Sequence, residues 1–253
     1  MAKVLILSGF GINCEEESKY AFELAGANQV DIYHINDLIK NKSILNNYEV
    51  LCFPGGFSFG DDLGSGKAFA NIVRNNLLDE IGKFIEQKKL IIGICNGFQV
   101  LTNLNLLPGA LTRNESGLYI DKWVKLKINP GNNSPWLQGI SDIELPIAHG
   151  EGKYQINEDD LTNIKSNNQI AFSYEENPNG SLENIASVSN YEGRVIGMMP
   201  HPERAIFFTQ DPLWTLKKDK LQRESKDLPE YLPAIKIFKN AVKYVSSELT
   251  EKV

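Results

Sequence analysis

The sequence predicts an α/β fold: a doubly wound, mainly parallel sheet flanked by helices, with extra β-strands in the second half. Two patterns favour this fold class. In the first half, short runs that are apolar at nearly every position alternate with helical patterns. Such strands are buried on both faces, as in a parallel sheet covered by helices. In the second half, further β patterns are separated by loops rich in proline, glycine and asparagine.

The first half contains four predicted strands and three predicted helices. The strands are predicted at residues 3–7, 30–34, 50–53 and 90–94. The helices are predicted at residues 15–25, around the i, i+3, i+4 series Leu77, Leu78, Ile81, Phe84 and Ile85, and at residues 98–104. The third strand ends in Pro54-Gly55-Gly56, which must turn, and the fourth strand runs directly into Cys95.

The second half contains four predicted strands and one closing helix. The strands are predicted at residues 123–128, 169–174, 185–189 and 194–198. The closing helix follows Pro233 and has on one face Ile235, Phe238, Val242 and Val245. The sequence has no internal repeat, no low-complexity segment and no long linker, so we expect one domain over residues 1–253.

Composition and charge restrict the class of partner. The 26 basic and 32 acidic residues give a net charge of 26 − 32 = −6, which argues against a nucleic acid as the main partner, because phosphates require clustered Lys and Arg. No run of eighteen apolar residues is present, and the apolar stretch at residues 4–7 is too short for a signal peptide. We therefore expect a cytoplasmic protein with no membrane span.

The three cysteines differ in their surroundings. Three is an odd number, and their wide spacing fits reduced thiols better than a disulfide framework. Cys52 lies in an apolar run and is interpreted as a small buried hydrophobic residue. Cys14 is interpreted in the same way, with a role at the edge of a site as the alternative. Cys95 lies in a motif.

Gly93-Ile94-Cys95-Asn96-Gly97 has the form of a nucleophile elbow, with cysteine in place of serine. In an elbow the nucleophile occupies a strained strand-to-helix turn, and flanking side chains would collide with neighbouring elements. The adjacent helix N-terminus favours the thiolate form. A buried structural cysteine in a glycine-rich turn is the commoner explanation of such a motif. The predicted strand before Cys95 and the predicted helix after it favour the nucleophile.

A nucleophilic cysteine needs a base, and the sequence has only three histidines, His34, His149 and His201. His201 lies in Pro200-His201-Pro202-Glu203, where a carboxylate is close enough to orient the imidazole and two prolines stiffen the turn. A surface turn with an incidental His–Glu pair is the alternative from the local sequence alone.

These segments together resemble the class I glutamine amidotransferases, and within them the glutaminase subunits of phosphoribosylformylglycinamidine synthases of purine biosynthesis. The resemblance covers roughly residues 3–205 and implies a flavodoxin-like sheet. The similar segments, in the order of that family, are residues 54–61, 93–99, 106–110, 113–114, 148–152, 177–181 and 197–204. The strings Asn96-Gly97-Phe98-Gln99 and Met198-Met199-Pro200-His201-Pro202-Glu203-Arg204 are specific to this branch.

The resemblance implies a Cys–His–Glu triad made of Cys95, His201 and Glu203. Cys95 would attack the side-chain amide of glutamine and form a glutamyl thioester, with His201 as the proton carrier and Glu203 orienting it.

The resemblance also implies an oxyanion hole and contacts to the substrate. The backbone N–H groups of Gly56 and Asn96 would form the oxyanion hole. Gln99 and the segment around His149 would hold the amino-acid end of glutamine. A purely structural role for His149 is the alternative.

The resemblance further implies a partner that consumes the ammonia. Ammonium has no lone pair with which to attack, so the ammonia must pass directly to a second active site. In this family that site lies on a large synthetase subunit, helped by a small accessory subunit, and ATP and Mg²⁺ bind there. We expect no cofactor and no metal in this chain. The segment 64–68 is not a phosphate-binding loop, because Asp61 replaces the required glycine and Ala68 the required hydroxyl.

Two segments depart from the family pattern: the loop at residues 8–14, and the stretch 207–233, to which no function is assigned.

Three other functions are compatible with parts of the pattern. The chain could serve another biosynthetic amidotransferase, making guanylate, cytidylate, anthranilate or pyridoxal phosphate. It could be a non-catalytic regulatory domain, although the intact triad argues against this. A cysteine peptidase or stress protein of related architecture is disfavoured by the distant His-Pro-Glu segment.

Overall fold

The computed structural model describes residues 1–61, 64 and 66–248. The strands of this part, β1 to β11, are Lys3–Ser8, Gln29–His34, Val50–Phe53, Leu90–Ile94, Ala110–Thr112, Ile120–Ile128, Ile143–His149, Lys153–Gln155, Ile170–Tyr174, Ile185–Asn190 and Val195–Met198. The α-helices, α1 to α7, are Glu15–Leu24, Ile35–Lys40, Lys67–Glu86, Asn96–Asn103, Glu158–Ser166, Trp214–Arg223 and Ile235–Glu248. Short 3₁₀ turns connect several of them.

Nine of these strands form one mixed sheet, in the order β2-β1-β3-β4-β11-β10-β9-β6-β7. The strands from β2 to β11 in this order pair in parallel. The strands from β11 to β7 pair antiparallel. Strands β5 and β8 form a separate two-stranded ribbon. The predicted α/β fold class is therefore confirmed, including the extra strands that the second half adds to the parallel part.

Central position in the sheet explains why β3 and β4 were predicted with their observed bounds. Every residue of both strands is buried, because helices cover both faces of the parallel part. In α3 the predicted face is correct: Leu77, Ile81 and Phe84 are buried. In α7, Phe238 and Val245 are likewise buried in the core.

Three strands and three helices were not predicted: β5, β7, β8, α2, α5 and α6. Strand β7 contains Pro146, which argues against a sheet interior. It is tolerated because β7 is the last strand of the sheet, where one side of the strand needs no ladder hydrogen bonds. Strands β5 and β8 have only three residues each. Helix α6 buries none of its residues, so it has no apolar face to detect.

The sheet order brings three loops together at one edge. Strand β4 lies between β3 and β11, in parallel with both. The carboxyl ends of these strands therefore meet, and they continue into the Pro54-Gly55-Gly56 turn, into Cys95 and into the segment that carries His201. Strand β7 of the antiparallel part also contacts this edge, since the His201 N–H donates to the Pro146 carbonyl of β7 at 2.9 Å.

The stretch 207–233, which departs from the family pattern, contains a 3₁₀ turn at Phe208–Gln210 and helix α6. A backbone bridge between Phe207 and Tyr231 closes it into a loop.

Within the described ranges, no helix is long and apolar enough to cross a membrane. In the segment 64–68, Ser65 lies outside the described residues. Gly66, with a φ of 67°, precedes the first residue of α3.

Candidate active site

Cys95 occupies the turn between β4 and α4 in a strained backbone conformation. Its φ of 50° and ψ of −104° are unusual for a residue with a side chain. The Cys95 N–H donates to the Met198 carbonyl at 2.8 Å, which ties the turn to the end of β11. This geometry is that of a nucleophile elbow, because it projects the sulfur from the carboxyl edge of the sheet.

The two glycines of the motif are required by close backbone contacts. A Cβ atom at Gly97 would lie 1.8 Å from the Phe53 carbonyl oxygen of β3. A Cβ atom at Gly93 would lie 2.6 Å from the Gly97 carbonyl oxygen. Both distances are far below van der Waals contact, so side chains at these positions would push the elbow off the sheet.

His201 and Glu203 form a buried, hydrogen-bonded pair. Nδ1 of His201 lies 2.5 Å from Oε1 of Glu203, and the two side chains are 3% and 0% exposed. Burial opposes the charged form of the imidazole, but the Glu203 carboxylate and the Cys95 sulfur favour it and hold the pKa of His201 well above its usual value. The carboxylate thus orients the ring and stabilises its protonated form.

Nε2 of His201 is the nitrogen left for chemistry. It is buried and makes no hydrogen bond to any described residue. Cys95 and His201 lie at the same edge of the sheet, since the Cys95 N–H donates to the carbonyl of Met198, three residues before His201, and Cys95 is among the groups that raise the pKa of His201. Sγ of Cys95 also lies 3.9 Å from the Ala148 carbonyl oxygen of β7. The structure thus brings together the three residues of the predicted triad.

Of the two predicted oxyanion donors, Asn96 directly follows Cys95 and Gly56 lies in the turn after β3. Asn96 is the first residue of α4, where N–H groups have no acceptor within the helix. Gly56 has a φ of 152°, and a Cβ atom there would lie 2.6 Å from the Cα of Ile12 and 2.7 Å from the Gly11 carbonyl oxygen. Only glycine fits this position.

Gln99 lies one turn into α4, and both the nitrogen and the oxygen of its side-chain amide form hydrogen bonds within the protein. Its Nε2 donates to the Glu151 carbonyl at 2.7 Å, and its Oε1 accepts from Nδ2 of Asn96 at 2.8 Å. Gln99 therefore holds the loop after β7 against the nucleophile elbow. Its direct contact with a substrate stays a prediction.

A hydrogen-bond network fixes the tautomer of His149. Nδ2 of Asn114 donates to the carbonyls of Leu118 and His149, so Oδ1 of Asn114 is an acceptor. This oxygen lies 3.1 Å from the Gly152 N–H and 3.0 Å from Nδ1 of His149, and Nδ1 must therefore carry a proton. Nε2 of His149 is then an unprotonated acceptor, buried and without a partner among the described residues.

His149 should make the folded protein sensitive to acid. Burial, assisted by the nearby His201, lowers the pKa of His149 to about 4 from 6.5. The unfolded chain therefore binds this proton more readily, and the free energy of unfolding should fall by about 3 kcal/mol as the pH drops from 6.5 to 4. Urea unfolding of the wild type and of His149→Gln across this range measures the effect. The variant should show a flatter profile; parallel profiles would contradict the prediction.

The structure adds three residues to the site. Asn114 holds His149, but nothing in its local sequence indicates this role. Cys14 reaches the site because its backbone N–H donates to the Gly55 carbonyl at 3.2 Å. A guanidinium nitrogen of Arg204 lies 3.0 Å from Sγ of Cys14. The alternative role of Cys14 at the edge of a site is thus the one the structure favours. The third histidine, His34, caps the N-terminus of α2, because its Nδ1 accepts a hydrogen bond from the Asn36 N–H.

Comparison with known proteins gives concordant results. The sequence model described as the CobB/CobQ-like glutamine amidotransferase domain matches residues 1–245. A protein of Methanococcus maripaludis named phosphoribosylformylglycinamidine synthase subunit PurQ is 45% identical, over 96% of this chain and 97% of that protein. A protein of the same name from Dehalococcoides mccartyi is 40% identical, over 96% and 97%.

Among solved structures, a chain from the "Structure of PurLQS from Thermotoga maritima" is similar with a TM-score of 0.74 and 33% identity, covering 96% of this chain and 99% of that one. A glutamine amidotransferase of Thermotoga maritima shares the fold, with a TM-score of 0.57 and 15% identity, covering 98% of each chain. A sheet with an elbow cysteine and a buried His–Glu pair at its edge agrees with these matches. This chain belongs to the CobB/CobQ-like glutamine amidotransferase family.

Proposed function

We propose that this chain is the glutaminase subunit of a phosphoribosylformylglycinamidine synthase, and that Cys95, His201 and Glu203 hydrolyse L-glutamine to L-glutamate and ammonia. The observation that carries the assignment of the residues is the buried His201–Glu203 pair at 2.5 Å beside the elbow cysteine. Family membership and the 45% identity to a subunit of that synthase support the assignment of the reaction.

The first half of the reaction forms a thioester. Nε2 of His201 takes the thiol proton of Cys95, and the sulfur attacks the side-chain amide carbon of glutamine. The N–H groups of Asn96 and Gly56 receive the developing oxyanion. His201 then gives its proton to the leaving nitrogen, so the C–N bond breaks and ammonia departs. The Glu203 carboxylate stabilises the imidazolium between these two transfers.

The second half releases glutamate. His201 takes a proton from water, which attacks the thioester carbon through the same oxyanion arrangement. The C–S bond breaks and the sulfur regains the proton from His201. Every proton moves through His201, and this reaction requires neither a cofactor nor a metal in this chain.

The tautomer of His149 suggests how the substrate is oriented. An unprotonated Nε2 can accept a hydrogen bond but cannot donate one. His149 is therefore suited to the α-ammonium group of glutamine and unsuited to the α-carboxylate. Gln99 would support this contact indirectly, by holding the carbonyl of Glu151 in place.

The ammonia passes to a large synthetase subunit, which uses ATP and Mg²⁺ to amidate formylglycinamide ribonucleotide. The assembly also includes a small accessory subunit. The similar Thermotoga maritima chain comes from a structure titled PurLQS, which supports association with a synthetase subunit.

The direct test measures glutamate and ammonia released from glutamine by the purified chain, alone and with the synthetase subunit, ATP and formylglycinamide ribonucleotide. We expect turnover with the synthetase subunit and little without it, because the partner completes the site. Absence of turnover under both conditions would contradict the proposal. Turnover only with a different synthetase would retain the chemistry and change the pathway.

Glu203→Gln should lower kcat by about 10²- to 10⁴-fold, because the amide no longer stabilises the imidazolium and can hold the wrong tautomer. Without the carboxylate, the pKa of His201 should fall, and the limb of the pH–rate profile that reports His201 should move to lower pH. Glu17→Gln is the matched control, since Glu17 contacts Arg204 at the surface instead. An unshifted limb in Glu203→Gln would exclude this role for Glu203.

A further inference from the structure

A buried group of three side chains beside the elbow has the composition of a transition-metal site. Sγ of Cys14, a ring nitrogen of His201 and a carboxylate oxygen of Glu203 lie within 4.8 Å of one another. The three residues are only 1%, 2% and 3% exposed. Sulfur, imidazole and carboxylate are the ligands that zinc takes in proteins, and a sulfur ligand disfavours Mg²⁺ and Ca²⁺.

This group has ligand capacity that the protein does not use. Oε2 of Glu203 is buried without a hydrogen-bond partner among the described residues, and so is Nε2 of His201. The lack of a partner at Nε2 of His201 is explained by its role as the acceptor of the Cys95 thiol proton. The oxygen has no role in the proposed reaction, and leaving a buried carboxylate oxygen unpaired is unfavourable. A cation bound beside Glu203 would satisfy it.

The third ligand is held in place by the backbone. The Cys14 N–H donates to the Gly55 carbonyl, and the Ser18 hydroxyl and N–H both donate to the Cys14 carbonyl, at 2.7 and 3.1 Å. Gly55 also leaves open the space between sulfur and ring, since a Cβ atom there would lie 3.0 Å from Sγ of Cys14 and 2.7 Å from Cε1 of His201. The sulfur therefore faces the imidazole with no side chain between them.

We propose that Cys14, His201 and Glu203 bind a thiophilic divalent cation, Zn²⁺, and that the bound ion inhibits this enzyme. The ion binds Nδ1 of His201 and the unpaired Oε2 of Glu203, and it replaces the 2.5 Å hydrogen bond between Nδ1 and Oε1. Sγ of Cys14 is the third protein ligand. The thiol proton of Cys14 leaves to water, the imidazole proton moves from Nδ1 to Nε2 by exchange with water, and the fourth ligand position of the ion stays open.

Inhibition follows from the position of the remaining proton. An imidazole that binds zinc through Nδ1 keeps its proton on Nε2, the nitrogen that must accept the thiol proton of Cys95. Zinc also occupies the carboxylate that would stabilise the imidazolium. The inhibitory effect rests on the proposed glutaminase function, whereas the binding of the ion does not.

The Arg204 guanidinium competes with the ion for Sγ of Cys14, and this side chain can move away from the site. Its guanidinium contacts Sγ of Cys14 and lies 3.4 Å from Oε1 of Glu17. The arginine side chain is 36% exposed, so it can turn toward Glu17 and water when a cation arrives. The charges of the thiolate and of Glu203 then balance the two charges of zinc.

The test titrates Co²⁺, a spectroscopic substitute for Zn²⁺, into the full chain carrying Cys95→Ala, so that the catalytic thiol cannot contribute. We expect one equivalent to produce thiolate-to-cobalt charge-transfer absorption, which added Zn²⁺ abolishes. Adding Cys14→Ser should remove this absorption and weaken Zn²⁺ binding about 100-fold. Cys52→Ala is the control, because that thiol lies buried in β3, and it should leave the titration unchanged.

A second variant keeps the test decisive if Cys14→Ser misfolds. Glu203→Gln in the Cys95→Ala chain should keep the charge-transfer absorption but shift the titration to higher Co²⁺ concentration. In the enzyme with intact Cys95, micromolar Zn²⁺ should inhibit glutamine hydrolysis reversibly, and a chelator should restore it. Failure of Co²⁺ to bind the Cys95→Ala chain, or absorption that survives Cys14→Ser, would overturn the proposal. These binding results are independent of glutaminase activity.

Discussion

Replacing Cys95 with alanine should abolish the hydrolysis of glutamine, with a loss of at least about 10⁴-fold in kcat. Without the sulfur no thioester forms, and the remaining oxyanion donors and His201 have no nucleophile to assist. The measurement is glutamate release by the complex of this chain with the synthetase subunit. The substitution removes one buried sulfur and leaves the glycines of the elbow in place, so the fold should persist.

Ammonium salt provides the control that distinguishes a loss of glutamine hydrolysis from a loss of the complex with the synthetase subunit. The complex with Cys95→Ala should still amidate its substrate when ammonium salt is supplied, because the synthetase site receives ammonia from solution. Cys52→Ala should retain glutamine-dependent activity, since Cys52 lies in the core of β3. Full glutamine-dependent activity of Cys95→Ala would show that another residue is the nucleophile. Loss of both activities would indicate a disrupted complex.

Gly97→Ala should destabilise the protein by more than about 3 kcal/mol. The new methyl group would lie 1.8 Å from the Phe53 carbonyl oxygen, which the parallel ladder of β3 holds in place. Relief requires moving α4 away from the sheet, which displaces Asn96 and Cys95. The urea midpoint of unfolding should therefore fall, and glutaminase activity should be lost even in the fraction that remains folded.

The chain offers a matched control for this substitution. Gly82 lies within α3, and a Cβ atom there would meet nothing within 4 Å. Gly82→Ala should therefore stabilise the protein by roughly 0.5–1 kcal/mol, because alanine loses less backbone entropy in a helix than glycine. If Gly97→Ala proved as harmless as Gly82→Ala, the elbow geometry described above would be wrong.

Most of the parallel part of the fold could be predicted, because its strands are buried on both faces and read as continuous apolar runs. The strands β3 and β4 show this most clearly. The strand β7 could not be predicted, because an edge strand with a proline carries no such signal. The prediction of one domain rests on the sequence, and the nine-stranded sheet draws strands from both halves of the chain.

The sequence by itself determined the elements with local causes: the elbow around Cys95, whose glycines flank the nucleophile, and the His201–Glu203 pair, two residues apart. Only the tertiary structure decided the rest. The end of β7, which carries His149, contacts Cys95 and His201 through the carbonyls of Ala148 and Pro146, and the Gly55 carbonyl holds Cys14 beside the His201 ring. Such neighbours are far apart in the chain, and their proximity follows from strand order and backbone hydrogen bonds, which no local pattern encodes.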